Sequence, residues 1–141
     1  MSRDEILALL TRRAEAWRRL DADALLADYA DDAVVDSPLA GGTTRGREQI
    51  AQVFRAYFVA FPDMAMEPCE ILIDGDRAAV AAVFRGTDRC GFMGMPATGR
   101  RVSIPVVFLY EFKNGQIVRD RRVYDFTGVL IQIGTLKAKP A

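Results

Sequence analysis

The chain contains no histidine, so any acid–base chemistry falls to Asp, Glu, Tyr, Lys or Cys. The commonest general base, the commonest metal ligand and every histidine-containing triad are absent with it. Two cysteines, Cys69 and Cys90, are too few for a four-thiolate metal site. One carboxylate stands apart from the rest. Asp125 begins the apolar end of "YDFTGVLIQIG", residues 124–134. A buried, unpaired carboxylate costs several kcal/mol or gives up its charge. Asp125 is therefore paired, wet or in chemical use. It either caps the terminal segment through the amides of Gly128 or Val129, or it works as a proton-transfer group.

The elements that would position it read as helices first and strands after. Residues 4–20 carry Ile6, Leu9, Leu10, Trp17 and Leu20 at helical spacing. Asp21 and Asp23 open a short second helix, "DALLADYA". "AVVDSPL", 33–39, reads as a short strand and "AGGTTRG" as a loop. Residues 47–60 form a third helix with Ile50, Val53, Phe54, Tyr57 and Phe58 on one face. From Met66 the period becomes two. "MEPCEILI" and "DRAAVAAVFRGTD" flank an Asp-Gly turn; "RVSIPVVFLYEFK" and "QIVRDRRVYDF" flank an Asn-Gly turn. "RCGFMGMPATGR", 89–100, is a long loop, "TGVLIQIG" a helical turn or a strand, and 135–141 a loose tail. The class is α+β, in one domain over 1–141.

Turn position fixes which side chains share a face. With Asn114-Gly115 as the two turn residues, Phe108 faces Arg121, Tyr110 faces Arg119, Val106 faces Val123 and Ile104 faces Asp125. Arg121 and Asp125 would then flank one space, roughly 13 Å apart along the strand. In the first hairpin the same arithmetic sets Cys69 opposite Val80, far from Cys90. Both thiols read as small buried or half-buried hydrophobes rather than a disulfide.

These stretches carry a resemblance. "RGREQI", "GTDRCGFMGMPATGRRVSI", "FKNGQIVRDRRVYD" and "LIQIG" together resemble the SnoaL-like polyketide cyclase branch of the nuclear-transport-factor-2-like superfamily. Residues 94–100 look like that family's G-x-P-x-T-G-R. The resemblance implies a cone: a curved antiparallel sheet and three N-terminal helices enclosing an apolar pocket. It places the family's acid–base aspartate at Asp125. Positions where family members often carry histidine hold Asp88 and Phe108 here, and one that is commonly tryptophan holds Arg121.

On that footing Asp125, Arg121 and Asp88 are the expected acid–base and oxygen-binding groups. Arg121 either stacks outward on Phe108 or binds a substrate oxygen in the pocket. Asp88 is either a solvated strand-end acid or a second carboxylate facing Arg121. Asp36 either caps a turn with Ser37 and Pro38 or reaches the pocket mouth. Trp17, Tyr29, Phe54, Phe58, Phe92, Met93 and Met95 are core residues, some of which line the pocket with Ile104, Phe108 and Tyr110. Phe92, Met93 and Met95 sit on the glycine-rich loop and would form an apolar lid.

The expected activity is cofactor-independent, metal-free intramolecular aldol cyclisation of an apolar polyketide-like molecule, with Asp125 as acid and base. The alternatives are epoxide opening by Asp125, Arg121 and Asp88, and a non-catalytic ligand-binding or dimerisation module. A pocket filled by its own side chains, or Asp125 locked in a cap, would favour the module. Lys+Arg and Asp+Glu both number 19, so no charge excess draws the chain to nucleic acid or an anionic membrane. No signal-peptide pattern or apolar span is visible. The expected setting is cytoplasmic, and the expected assembly a homodimer pairing through the outer sheet face, with Val107, Leu109 and Tyr124 as candidates.

Overall fold

Ser2 starts the first helix, α1 (Arg3–Arg18), with a reciprocal cap. Its Oγ accepts from the Glu5 amide at 3.2 Å, and the Glu5 carboxylate accepts from the Ser2 amide at 2.6 Å. The computed structural model describes residues 1–38 and 42–137. Asp21 caps α2 (Ala22–Ala27) by accepting from the Ala24 amide. Strands β1 (Tyr29–Asp36) and β2 (Thr43–Arg45) follow, then α3 (Arg47–Ala60). The expected 40–46 loop is therefore partly a strand, while Leu39, Ala40 and Gly41 lie outside the described residues. Strands β3 (Ala65–Asp74), β4 (Arg77–Thr87), β5 (Arg101–Lys113) and β6 (Gln116–Tyr124) complete the sheet, and α4 (Phe126–Gln132) closes the order. "TGVLIQIG" is thus helical. Thr135 and Leu136 do not hang loose, because both amides donate to the Leu130 carbonyl. The last four tail residues, 138–141, lie outside the described residues.

The sheet is curved and unclosed, in the order β2-β1-β6-β5-β4-β3. All neighbours are antiparallel except β1 and β6, which run parallel. One face carries the core. Ala78, Val80, Ala82 and Phe84 of β4 oppose Tyr110, Phe108, Val106 and Ile104 of β5 on it. Small alanines across from larger side chains let the two rows interlock. The helices cover this face, with Trp17 of α1 edge-on to Phe54 and Phe58 of α3 at 5.2 and 5.8 Å. The architecture is the α+β expected from the sequence.

The β5–β6 hairpin departs from the expected register. Asn114 and Gly115 form its turn, both in the left-handed region at φ 52° and 77°. Lys113 faces Gln116 and Phe112 faces Ile117, as expected. Glu111 then faces Arg119, so Val118 is an extra residue on β6. Beyond that bulge every side chain of β6 changes face. Phe108 pairs with Arg122 rather than Arg121, Tyr110 with Asp120, and Val106 with Tyr124. Asp120, Arg122 and Tyr124 point inward; Arg119, Arg121 and Val123 point outward.

The β3–β4 turn is Gly75-Asp76, so Ile73 faces Ala78 and Ile71 faces Val80. Cys69 sits in a bulge of β3 and donates its thiol to the Ala81 carbonyl. Both cysteines are unpaired as expected, but both are exposed rather than buried.

Candidate functional site

The concave face and the helices over it enclose an apolar cavity. It is lined by Trp17 of α1, Tyr57 of α3, Phe84, Ile104 and Phe108 of the sheet, Phe126 and Val129 of α4, and Phe92 of the 89–100 loop. Arg122 is the only charged residue among the described residues that line it, and the hydroxyls of Tyr57 and Tyr124 and the indole N–H of Trp17 are other polar side-chain groups there. The free interior is about 40 Å³. That admits a few water molecules and falls well short of the ~300 Å³ of a small ligand site.

Arg122 is held on three sides. Its Nε and Nη2 donate to Oδ2 of Asp120 at 3.2 and 3.0 Å. Its guanidinium lies 5.1 Å from the ring centre of Phe54 and 5.5 Å from that of Phe108. Asp120 is fully buried and takes a third hydrogen bond on the same oxygen, from the Tyr29 hydroxyl at 2.6 Å. Tyr29 in turn accepts from Arg13 at 3.1 Å, and Arg13 is tied to the Leu25 carbonyl and, at 3.4 Å, to Asp28. Asp120 Oδ1 has no partner among the described residues.

Charge and burial act together in this cluster. Burial works against both guanidiniums, but the Tyr29, Tyr110 and Asp120 environment outweighs it and holds Arg13 and Arg122 above the ordinary arginine range. Burial pushes the phenols of Tyr29 and Tyr57 well above their ordinary range, and that of Tyr110 up to about 12. They are neutral hydrogen-bond donors at physiological pH. Tyr57 and Tyr124 hydroxyls are 2.9 Å apart, and Tyr124 is 3.2 Å from Ser37 Oγ. One corner of an apolar cavity thus combines a fixed cation with two phenolic hydroxyls. Such a corner stabilises negative charge developing on an oxygen.

The expected site residues divide. Trp17, Phe92, Ile104 and Phe108 line the cavity; Phe54 and Phe58 pack behind Trp17; Tyr29 and Tyr110 belong to the buried polar cluster. The expected convergence of Asp125, Arg121 and Asp88 is not found. Arg121 is exposed on the outer face, because the Val118 bulge moved it there. Asp125 is exposed and caps α4, its Oδ1 accepting from the Gly128 amide at 2.8 Å. Asp88 is buried rather than solvated, with Oδ2 accepting from both the amide and hydroxyl of Thr98 at 3.1 and 3.0 Å. It closes the base of the 89–100 loop. Asp36 neither caps a turn with Ser37 and Pro38 nor lines the apolar cavity; it borders a shallow surface groove with Thr43, Arg121 and Val123. It accepts from Arg119 Nε and Nη2 and from Thr43 on the outer side, and the Arg119 bonds hold its carboxyl below the usual range.

The expected three-residue lid reduces to one side chain. Phe92 fills the cavity wall, 5.4 Å from the Phe61 ring and 5.8 Å from that of Tyr57. Met93 is 53% exposed and Met95 half-buried. Gly91 permits the turn that inserts Phe92: its φ is 87°, and a Cβ there would meet the Met95 carbonyl oxygen at 2.3 Å. Arg13, Tyr57, Asp120, Arg122 and Tyr124 were missed as site residues in the sequence. Charge at 119–122 was visible, but its facing was not.

The sequence model of SnoaL-like polyketide cyclases matches residues 8–133. The chain belongs to that family. No curated protein matches it significantly. Among solved structures, IdmH of Streptomyces antibioticus, a candidate polyketide cyclase, is 30% identical, with 90% of this chain and 96% of that one covered and a TM-score of 0.74. AclR of Streptomyces galilaeus, a candidate hydroxylase, is 27% identical over 99% of this chain and 87% of that one, at a TM-score of 0.84. A SnoaL-like protein of Jannaschia, 21% identical over 99% and 98% of the two chains with a TM-score of 0.85, shares the fold. This SnoaL-like chain has no helix long and apolar enough to cross a membrane among its described residues.

Proposed function

We propose that this SnoaL-like protein is a cofactor-independent acid–base enzyme that closes a ring in an apolar, polyketide-like molecule. The observation that carries the reading is the cavity corner where Arg122, Tyr57 and Tyr124 face an otherwise apolar space. A carbon flanked by two carbonyls loses a proton to Asp125. The enolate oxygen is held by Arg122 with a phenolic hydroxyl beside it. The enolate carbon attacks a second carbonyl of the same molecule, and Asp125 returns its proton to the new alkoxide. Holding both ends in one cavity supplies much of the rate. Arg122 takes the role that the sequence offered to Arg121.

Asp125 stands between Tyr124 and Phe126, both of which line the cavity. For proton transfer its carboxylate turns from the α4 cap, at a cost of about 1 kcal/mol for the lost cap. Phe92 swings out to admit a ring-bearing molecule. The test uses benzoylacetone, an apolar ring carrying a 1,3-diketone. The protein is expected to speed deuterium uptake at its central carbon, and Asp125→Asn to remove most of that gain. Full exchange in Asp125→Asn would refute the proton-transfer role.

A second reading is favoured by two observations. The Asp125 cap and an interior filled to about 40 Å³ by its own side chains fit a non-catalytic module. Binding of benzoylacetone with no acceleration of exchange would select it.

We also propose pairing of two copies through the outer sheet face. Leu72 and Val123 are 62% and 53% exposed there and Leu109 36%, beside Glu111, Arg119 and Arg121 as a charged rim. Tyr124, a candidate from the sequence, faces inward instead. Sedimentation of Val123→Glu against the parent chain reads this out: a shift to monomer is expected, and an unchanged mass would exclude this face.

A further inference from the structure

We infer that Asp120 is a positioning residue that presents one edge of Arg122 to the cavity, and that this edge selects ligands carrying a planar pair of oxygens. The eligible chemistry is an aromatic carboxylate or the enolate of a 1,3-dicarbonyl on an aromatic ring. The inference rests on the binding half of the reading above and extends it to a ligand class.

The geometry is a chain of restraints. The Leu25 carbonyl and Asp28 hold Arg13, Arg13 holds the Tyr29 hydroxyl, and Tyr29 holds Asp120 Oδ2 at 2.6 Å. Asp120 then takes the Nε and Nη2 of Arg122 on that same oxygen. A guanidinium gripped through Nε and one Nη directs its remaining N–H bonds away from the gripping carboxylate, because the group is flat and its donors form a rigid fork. Phe54 and Phe108 lie over the group at 5.1 and 5.5 Å and oppose its rotation. The donors on the far edge match two coplanar oxygens better than one.

Charge supports the same ligand. Arg13 and Arg122 are both buried and charged, and Asp120 is the fully buried carboxylate between them. Asp28, which faces Arg13 at 3.4 Å, also accepts from the exposed Arg12 at 3.2 Å. No acidic side chain lines the cavity among the described residues. An anion entering beside Arg122 meets donors on the cavity side, with the Asp120 carboxylate on the opposite edge of the guanidinium. The adjoining walls of Trp17, Phe92 and Ile104 favour an apolar ring.

The experiment compares benzoate with benzamide, which share shape and differ in charge, by calorimetric titration of the full chain. Benzoate is expected to bind roughly tenfold tighter, as for a charge-assisted bidentate pair. Arg122→Lys keeps the charge but loses the fork and is expected to reduce the ratio severalfold. Asp120→Asn and Tyr29→Phe are expected to bring it towards one. Tyr29→Phe keeps the ring in place, so it carries the test if Asp120→Asn does not fold. A ratio near one in the parent chain, or an unchanged ratio in folded Asp120→Asn and Tyr29→Phe, would overturn the inference. Benzoylacetone exchange on the same variants separates the two readings. A benzoate preference without exchange leaves this inference standing and removes the enzyme. Exchange with no benzoate preference does the reverse.

Discussion

Arg122 and Arg121 are adjacent in the chain and face opposite sides of the sheet: Arg122 is 8% exposed against Asp120, and Arg121 is exposed on the outer face. Their substitutions should therefore differ widely. Arg121→Ala is expected to change stability by no more than about 0.5 kcal/mol. Arg122→Ala leaves Asp120 buried without its cation, which costs about 3–5 kcal/mol. Urea unfolding of both variants checks the contrast, and comparable losses would mean that the inward face is assigned wrongly.

Asp125 can be tested for its two roles separately. Asn is as good a helix cap as Asp, so Asp125→Asn should unfold within a few tenths of a kcal/mol of the parent chain. Asp125→Ala should lose about 1 kcal/mol. Loss of benzoylacetone exchange in the Asn variant, at parent stability, would assign proton transfer and not capping.

Phe92 closes the cavity by its ring. Removing that ring in Phe92→Ala should cost about 3–5 kcal/mol and enlarge the interior. Quenching of Trp17, the one tryptophan in the chain and a cavity wall, would report faster entry of benzoate. An unchanged association rate would show that entry runs by another route.

Alkaline pH should unfold the protein gradually. Burial raises the Tyr110 phenol from its ordinary 10 to about 12, and raises Tyr29 and Tyr57 further. In the unfolded chain these phenols ionise first, so the unfolded state binds fewer protons above pH 10. The stability they contribute is complete below pH 10 and falls as pH rises from there, up to about 12 for Tyr110 and beyond it for Tyr29 and Tyr57. Phenolate absorbance should stay low while the chain is folded and rise with its unfolding. Full phenolate signal from a folded chain at pH 11 would contradict the burial.

Much of the fold was legible because its signals are local. Helical spacing from Ile6 to Trp17, the Asn114-Gly115 turn and the Arg47–Ala60 helix each depend on neighbouring residues. Asp125 as a cap was legible too, since "D-F-T-G" holds both the acceptor and the amide that it accepts from. The inward charges were not. "RDRR" at 119–122 puts two charges on each alternate set, so period two has no apolar contrast to choose between them. Cys69 failed for a similar reason: a bulge in β3 moved it from a paired position to the surface.

Sequence alone determined the class, the order of most elements, the family resemblance and the aromatic stock of the cavity. Only the tertiary structure decided which arginine enters that cavity and which aspartate holds it. The reason is the single unpaired residue Val118. One extra residue inverts a strand with a two-residue period. Whether β6 takes that residue depends on pairing with both β5 and β1, and on Tyr29 meeting Asp120 across 91 positions of chain.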